Sequence, residues 1–398
     1  MNDYALGTAP FDWVSNAPSR KPVQPALRSR LDRLAAIDWD FTGKTTQDPI
    51  EGLHPYPAKF ISAIPSALLD NLPVPPGTAV FDPFCGSGTT LVECQRRGLP
   101  SVGVDLNPIA CLMTRVKTAP MPVGVSRQVA AVLSEARAAT RPAVPPIPKL
   151  DHWFQPQVQK ALAGLSVAIG HAGPRFRDLL RLALSSIIVR VSNQDSDTRY
   201  AAVAKNISRD DVFIAFERAA DRIMQGLQAR DYTLAAAQVI EDDTLALTPD
   251  RISHPIGLVI TSPPYPNAYE YWLYHKYRMW WLGFDPLAVK KKEIGARAHF
   301  FKTNHHTADH FIAQMDLTFS LLRRAVIPGG HVCFVAGRSK IHGKVIDNAK
   351  IIEVAAARCG FARIFRTERA ILANRKSFNL SHANIKTETV LVLRHGEL

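Results

Sequence analysis

The sequence predicts a doubly wound α/β fold carrying a helical insertion, and three observations predict it. A short apolar run, 256–260, ends abruptly at Thr261-Ser262-Pro263-Pro264-Tyr265. A second run, 79–81, leads into Asp82-Pro83-Phe84-Cys85-Gly86-Ser87-Gly88-Thr89-Thr90 and then a stretch of helical period. A third, 101–104, closes on Asp105, about 20 residues beyond the glycines. Continuous apolar runs of this length, separated by helical segments, read as buried parallel strands with helical crossovers. Loops at the carboxyl ends of such strands are where open α/β sheets place their ligands.

Taken in order, the chain of 398 residues, 46% hydrophobic, has enough length and apolar content for one large α/β domain with an insertion, or for two modest domains. Residues 1–45 read as a loosely ordered arm with one short helix over 26–36. Trp39 and Phe41 are expected to dock it, and Arg20, Arg28, Arg30 and Arg33 to be solvated. In His54-Pro55-Tyr56-Pro57-Ala58-Lys59-Phe60 the prolines hold the chain extended. A helix follows, with Ile61, Ile64, Leu68 and Leu69 on its apolar face.

In the glycine loop, Gly86 and Gly88 allow a sharp turn and a close backbone approach to a ligand. No Gly-Lys-Ser/Thr follows, so this is not a P-loop, and Leu91 stands where a dinucleotide fingerprint has its third glycine. Residues 89–97 read as a helix with Leu91, Val92 and Cys94 on or near its apolar face. An acid placed like Asp105 accepts hydrogen bonds from ribose hydroxyls, and Asn107-Pro108-Ile109 is expected to wall an adenine. The unit reads as a nucleoside site.

At the later motif neither Pro263 nor Pro264 can donate to a ladder, so the strand ends in a stiff loop. Ser262 offers a hydroxyl, Pro263 a carbonyl and Tyr265 a flat face, which is what a planar base with an exocyclic amine needs. Together, residues 81–90 and 261–265 resemble the DNA amino-methyltransferases, most of all those that methylate the exocyclic N4 of cytosine. His54 to Phe60 is similar to their motif ahead of the glycine loop. The resemblance covers about 46–118 and 240–398.

What the resemblance implies is a Rossmann-like methyltransferase sheet, mostly parallel with an antiparallel C-terminal edge strand, that binds S-adenosylmethionine and acts on duplex DNA with the target base flipped out. His54, Tyr56, Lys59 and Phe60 would enclose the methionine part of the cofactor. Asp82, Phe84, Cys85, Gly86, Ser87, Gly88, Thr89, Thr90 and Thr261 would line its loop, with Asp105, Leu106 and Asn107 around the ribose and adenine. Asp243, in preference to Asp242, would accept from the adenine amine. Ser262 Oγ and the Pro263 carbonyl would accept the two amine hydrogens, so that nitrogen points at the methyl for in-line attack. With Pro264 and Tyr265 they form the catalytic set, Tyr265 stacking on the extruded base. No metal is required. Adenine N6 is the alternative target, although that motif usually begins with Asp or Asn rather than serine. An RNA guanine-N2 methyltransferase would be expected to carry an acid before the prolines and an RNA-binding domain at its amino end. Cytosine C5 chemistry is set aside, because its cysteine nucleophile typically follows proline and no Pro-Cys dipeptide occurs.

Residues 121–234 are expected to be a helical insertion, possessing arginines (Arg175, Arg177, Arg181, Arg190, Arg199) suited to phosphates. Within it 192–200 reads as a loop, and Trp153 and Phe154 as core. Residues 267–282 are aromatic, with Tyr269 near the base pocket. Lys290-Lys291-Lys292 and 297–310 read as a basic loop. A helix over 317–326, a strand over 331–335, a helix over 351–357 and an antiparallel pair, 361–366 with 388–393, complete the fold. Residues 366–385, with Arg366, Arg369, Arg375 and Lys376, are a further DNA-facing candidate, and the sequence does not choose among the three segments for base readout. The net charge of +13 favours a polyanionic partner. Five cysteines without a C-x-x-C pair argue against disulfides or zinc and for a reducing cytosol. No signal-peptide pattern and no run of about 18 apolar residues is seen, so a cytoplasmic, bacterial-type protein is expected.

Overall fold

The structure is a computed structural model that describes residues 25–42, 48–197, 199–266, 269–300, 305–371 and 387–396. Arg20, Arg375 and Lys376 lie outside the described residues. The chain begins with α1 (Pro25–Ala35), α2 (Ala63–Asn71), β1 (Ala79–Asp82), α3 (Thr89–Gln95), β2 (Ser101–Asp105) and α4 (Pro108–Thr118). The segment between the two motifs adds α5 (Val125–Ala138), α6 (Leu150–Trp153), α7 (Pro156–His171), α8 (Pro174–Ile187), β3 (Gln194–Ser196), β4 (Arg199–Ala202) and α9 (Arg209–Gln228). Then come β5 (Ala237–Glu241), β6 (Ile256–Thr261), α10 (Tyr271–Trp281), α11 (Pro286–Lys292), α12 (Ala308–Ala325), β7 (Val326–Ile341), β8 (Lys344–Asp347), α13 (Asn348–Arg358), β9 (Phe361–Ala370) and β10 (Thr387–His395).

The main sheet has the order β5-β2-β1-β6-β7-β10-β9. Strands β5, β2, β1, β6 and β7 are parallel, and β10 runs antiparallel between β7 and β9. The fold is the expected doubly wound α/β sheet with its antiparallel strand at the C-terminal side. Chain order steps outward from β1 through β2 to β5, then reverses through β6. That reversal opens a crevice at the carboxyl ends of β1 and β6. Both strands are buried along their whole length, which is why their sequences run apolar without alternation. Phe81, Val259, Val332 and Phe334 face α12 and α13, while Val80, Leu258, Cys333 and Val335 face α1 and α2.

Helices α5, α7, α8 and α9 share one continuous apolar cluster with α4 and α10, and Phe154 lies fully buried within it. The stretch read as a loop over 192–200 instead forms β3 and the start of β4, a hairpin that runs on to Ala202. Gln194, Asp195, Ser196 and Arg199 are all polar, so no alternation marked it. In the arm, Trp39 and Phe41 are buried, and Trp39 Nε1 donates to Leu34 O at 3.0 Å.

The largest difference from expectation is β7, sixteen residues long rather than five. Pro328-Gly329-Gly330 reads as a stop, but the sheet absorbs it as a bulge. The register passes from Ile256 opposite Val326 to Leu258 opposite His331. Gly330 has no room for a side chain, since a Cβ would lie 2.7 Å from Val326 Cγ1. At its far end β7 turns through His342 and Gly343, with φ of 47° and 83°, into β8. Among the described residues no helix is long and apolar enough to cross a membrane.

Candidate functional site

The two motifs meet at the sheet's carboxyl edge. Asp82 ends β1 and Thr261 ends the adjacent β6, and Thr261 Oγ1 donates to Asp82 Oδ1 at 2.6 Å in a buried setting. Asp82 also accepts from Phe84 N at 3.1 Å. Burial raises its carboxyl to about 6, against the pull of these donors. Asp105, at the end of β2, accepts from Gly86 N at 2.8 Å and from Asn107 N at 2.8 Å. One carboxylate thereby ties the glycine loop to the next turn, and burial again raises it to about 6. Gly86 and Gly88 have φ of 50° and 83°, as their loop requires. A Cβ on Gly88 would lie 2.7 Å from Thr114 Oγ1, so only glycine fits there.

At Thr261 the pairing of β6 with β7 stops, opposite Phe334. The prolines that follow supply no N–H, so the next β7 carbonyl, Val335 O, is left open on that side. Ser262 Oγ donates to it at 3.1 Å, and Tyr265 Oη donates to it at 3.1 Å. The serine's proton is thereby engaged, and its oxygen also lies 3.2 Å from Tyr265 Oη. Tyr265 Oη also lies 3.4 Å from Glu388 Oε1, so the tyrosine is pinned by its hydroxyl with its ring against the cleft. Burial and the Glu388 charge push its phenol well above the usual range.

A cleft of about 250 Å³ unites these parts, far more than the ~10–15 Å³ that seats one water. Of the residues singled out from the sequence, Tyr56, Lys59, Phe60, Asp82, Phe84, Cys85, Gly86, Ser87, Thr89, Thr90, Asp105, Leu106, Asn107 and Asp243 line it, as do Ser262, Pro263, Pro264, Tyr265 and Tyr269. Asp243 rather than Asp242 is the acid on the wall, because Asp242 turns to Arg251 at 3.2 Å. Four expectations are corrected. His54 stands behind the wall, its Nδ1–H donating to Pro55 O at 2.6 Å and its Nε2 accepting from Ser185 Oγ at 2.9 Å. Burial, with Arg278 nearby, keeps that imidazole neutral. Gly88 and Thr261 shape the cleft without lining it, as their tight packing dictates. Ile109 is buried in the helical cluster rather than walling the cleft.

Sequence reasoning missed Glu293, and the roles of Tyr271, Arg369 and Glu388. Glu293 lines the cleft, is 6% exposed, and caps α10 by accepting from Tyr271 N at 2.9 Å and Trp272 N at 2.6 Å. Burial raises its carboxyl to about 8. Tyr271 stacks on Tyr56 with centroids 5.6 Å apart, and Tyr56 Oη packs close against Gly86 of the glycine loop. Arg369, read as a surface cation, is buried, paired with Glu388 and donating to Trp39 O at 2.9 Å. Only its position opposite Glu388 on β10 signals this, and pairing register is not visible before the fold. Lys59 donates to Glu51 O, and burial beside Lys117 lowers its ammonium to about 8.

Two buried polar atoms on the cleft residues have no partner within the protein, Thr89 Oγ1 and Asn107 Nδ2. Buried polar groups are rarely left unpaired, and both of these belong to residues at the glycine-loop end of the cleft.

Residues 26–115 match a family model described as a DNA methylase, N6_N4_Mtase. That segment is related to the DNA methylases. The chain is 38% identical over 89 residues to the type II methyltransferase M.MjaII of Methanocaldococcus jannaschii, covering 20% of this chain and 16% of that protein. It is 29% identical over 130 residues to the type II methyltransferase M.MvaI of Kocuria varians, covering 30% of this chain and 29% of that protein. The match thus spans less than a third of either relative. Among solved structures, TrmN from Thermus thermophilus aligns over 88% of this chain and 52% of its own, at 11% identity and a TM-score of 0.34.

Proposed function

We propose that this DNA-methylase relative transfers a methyl group from S-adenosylmethionine to the exocyclic N4 amine of cytosine in DNA. The observation that carries the reading is the hydrogen bond between Thr261 and Asp82, which places the Ser262-Pro263 acceptors and the glycine loop on one cleft. The unpartnered Thr89 and Asn107 atoms support a polar ligand at the loop end. Asp105 is assigned to the ribose, Asp243 to the adenine amine, and Tyr56, Lys59 and Phe60 to the methionine part. When bound, the cofactor supplies an electrophilic methyl on a sulfonium leaving group.

The protein's own share is geometric. An exocyclic amine is a poor nucleophile because its lone pair is conjugated with the ring. Ser262 Oγ, its proton held by Val335 O, accepts one amine hydrogen and the Pro263 carbonyl accepts the other. Holding both hydrogens orients the nitrogen lone pair and removes the cost of finding that geometry. Tyr265, fixed through its hydroxyl, offers its ring to the extruded base. Tyr271, stacked on Tyr56, gives the same space an aromatic wall.

Adenine N6 is the second reading. Serine at 262, where the adenine-type motif usually has Asp or Asn, favours cytosine. Mass spectrometry of nucleosides from DNA treated with protein and cofactor decides the matter. N4-methylcytosine is expected, N6-methyladenine would move the assignment to the second reading, and no methylated nucleoside from any DNA would overturn both.

A further inference from the structure

We propose that Arg369, aimed by Glu388, reads the ring edge of the extruded cytosine by donating to its N3 and O2; this rests on the cytosine reading above. The pair stands on the substrate side of the cleft. In the sheet order, the glycine loop follows β1, beside β2, and the amine acceptors follow β6. Strands β10 and β9 lie farther on in that same direction, away from the glycine loop. Glu388 on β10 faces Gly337 across the ladder, two residues on from the Val335 whose carbonyl holds Ser262 and Tyr265. Arg369 on β9 lies directly opposite Glu388, so both side chains leave the same face of the sheet. The steps from the amine acceptor are short. Ser262 Oγ is 3.2 Å from Tyr265 Oη, which is 3.4 Å from Glu388 Oε1, and Glu388 Oε2 accepts from Arg369 Nη1. Ser262, Pro263, Tyr265, Arg369 and Glu388 all line the one cleft.

The arginine is buried and its plane is fixed. Nε donates to Trp39 O at 2.9 Å and Nη1 to Glu388, bonds that use two of the five N–H donors of a guanidinium. A buried ion pair is weak evidence of stabilisation, but on a cleft wall it is a preset fork of donors. Its carboxylate cancels its charge, which suits a neutral partner better than a phosphate or the carboxylate of a cofactor. A flipped base is read along its pairing edge. A cytosine held by its amine presents N3 and then O2 along that edge, two acceptors in a row. The planar guanidinium matches two adjacent acceptors. An adenine held the same way presents N1 and then a C–H, so one donor is left unpaired in a desolvated site, which is unfavourable. The arginine therefore adds a preference for cytosine that is independent of the serine at 262. Glu388 is a positioning residue, holding the fork on one side and lying beside the Tyr265 hydroxyl on the other.

The test uses the full chain and a duplex holding one methylated site, mapped on DNA treated with the protein. The duplex is made with cytosine or with 3-deazacytosine at that site; the analogue keeps the amine and O2 but has C–H in place of N3. The readout is the ratio of kcat/KM on cytosine to kcat/KM on the analogue, taken for the wild type and for the double variant Arg369→Met, Glu388→Gln, which strands no charge. The wild-type ratio should exceed the variant's by about 10- to 100-fold, the effect of one hydrogen bond from a charged donor. Any intrinsic difference in amine reactivity between the two bases is common to both proteins and cancels, and a purely structural arginine would not move the ratio. Cofactor affinity of the variant, by calorimetry, should match the wild type. Should the double variant not fold, Arg369→Lys, which keeps the charge and loses the fork, replaces it in the same comparison. Equal ratios in a folded variant overturn the assignment and leave the methyltransferase reading standing. A wild-type protein that methylates no cytosine in any DNA overturns the reading beneath, and this inference with it.

Discussion

Ser262 depends on an atom it does not resemble, a backbone carbonyl one strand away. Without Val335 O to take its proton, the hydroxyl would be as ready to donate as to accept, and an amine needs acceptors. Ser262→Ala removes one of two acceptors and leaves the glycine loop intact. It should lower kcat by about 10- to 100-fold, the worth of a hydrogen bond of roughly 1–3 kcal/mol. Cofactor affinity, read by calorimetry, should stay near wild type; an undiminished kcat would remove the serine from amine orientation. Asp105 acts by charge. Its carboxyl sits at about 6, above the ordinary aspartate value, so it binds a proton more tightly folded than unfolded. Its contribution to stability is therefore largest in acid and declines as pH climbs from about 4 to 6. Ligand binding should run the other way, because the charged carboxylate is the better acceptor for ribose hydroxyls. Cofactor affinity should weaken as pH drops through about 6, and Asp105→Asn should flatten that dependence. A dependence that survives the substitution would pass to Asp82, which titrates in the same range.

At the scale of elements, helix α10 is set by a residue 22 positions after its start. Glu293 satisfies the Tyr271 and Trp272 amides, two of the orphan donors at the helix N-terminus. Glu293→Ala should lower stability by about 1–3 kcal/mol in thermal unfolding. It should also weaken cofactor binding, because Tyr271 would lose its seat over Tyr56. Glu293→Gln, which keeps an acceptor at the helix start, should recover much of both; an alanine variant of unchanged stability would end the capping role. The contrast with the glycine loop explains what was legible. Gly86, Gly88, Pro263 and Pro264 act through their own backbones, so sequence spacing alone exposes the turn and the strand end. Glu293 acts through a contact between segments brought together only by folding, and nothing local distinguishes it from a solvated glutamate. The same holds for β7: Pro328-Gly329-Gly330 is a stop in isolation and a bulge only beside β6.

The whole molecule is joined across the insertion by a buried cation. Arg278 on α10 is 0% exposed; it donates to Ser185 O on α8 at 3.2 Å and to Tyr274 O at 3.1 Å, and pairs with Asp197 in the β3–β4 hairpin. The helical segment thus reaches the wall of the cleft through Arg278 on one side and through Ser185 to His54 on the other. Its own arginines are partly engaged within the fold, as Arg181 is by Leu282 O at 2.7 Å. Bracing α10 and His54 from behind the cleft is therefore a role of this segment, and none of its described residues lines the cleft itself. Removing one partner of a buried pair leaves an uncompensated charge and is usually worth about 3–5 kcal/mol. Here Arg278 retains two carbonyls, and Asp197 is 30% exposed, so the loss should be smaller. Asp197→Ala should lower stability by about 2–3 kcal/mol. In an Arg278→Leu background the same change should be close to neutral, because no buried cation is left to strand. Denaturant unfolding of the four proteins of this cycle measures the coupling directly. A coupling near zero would mean that the Arg278–Asp197 pair does not hold the insertion on α10.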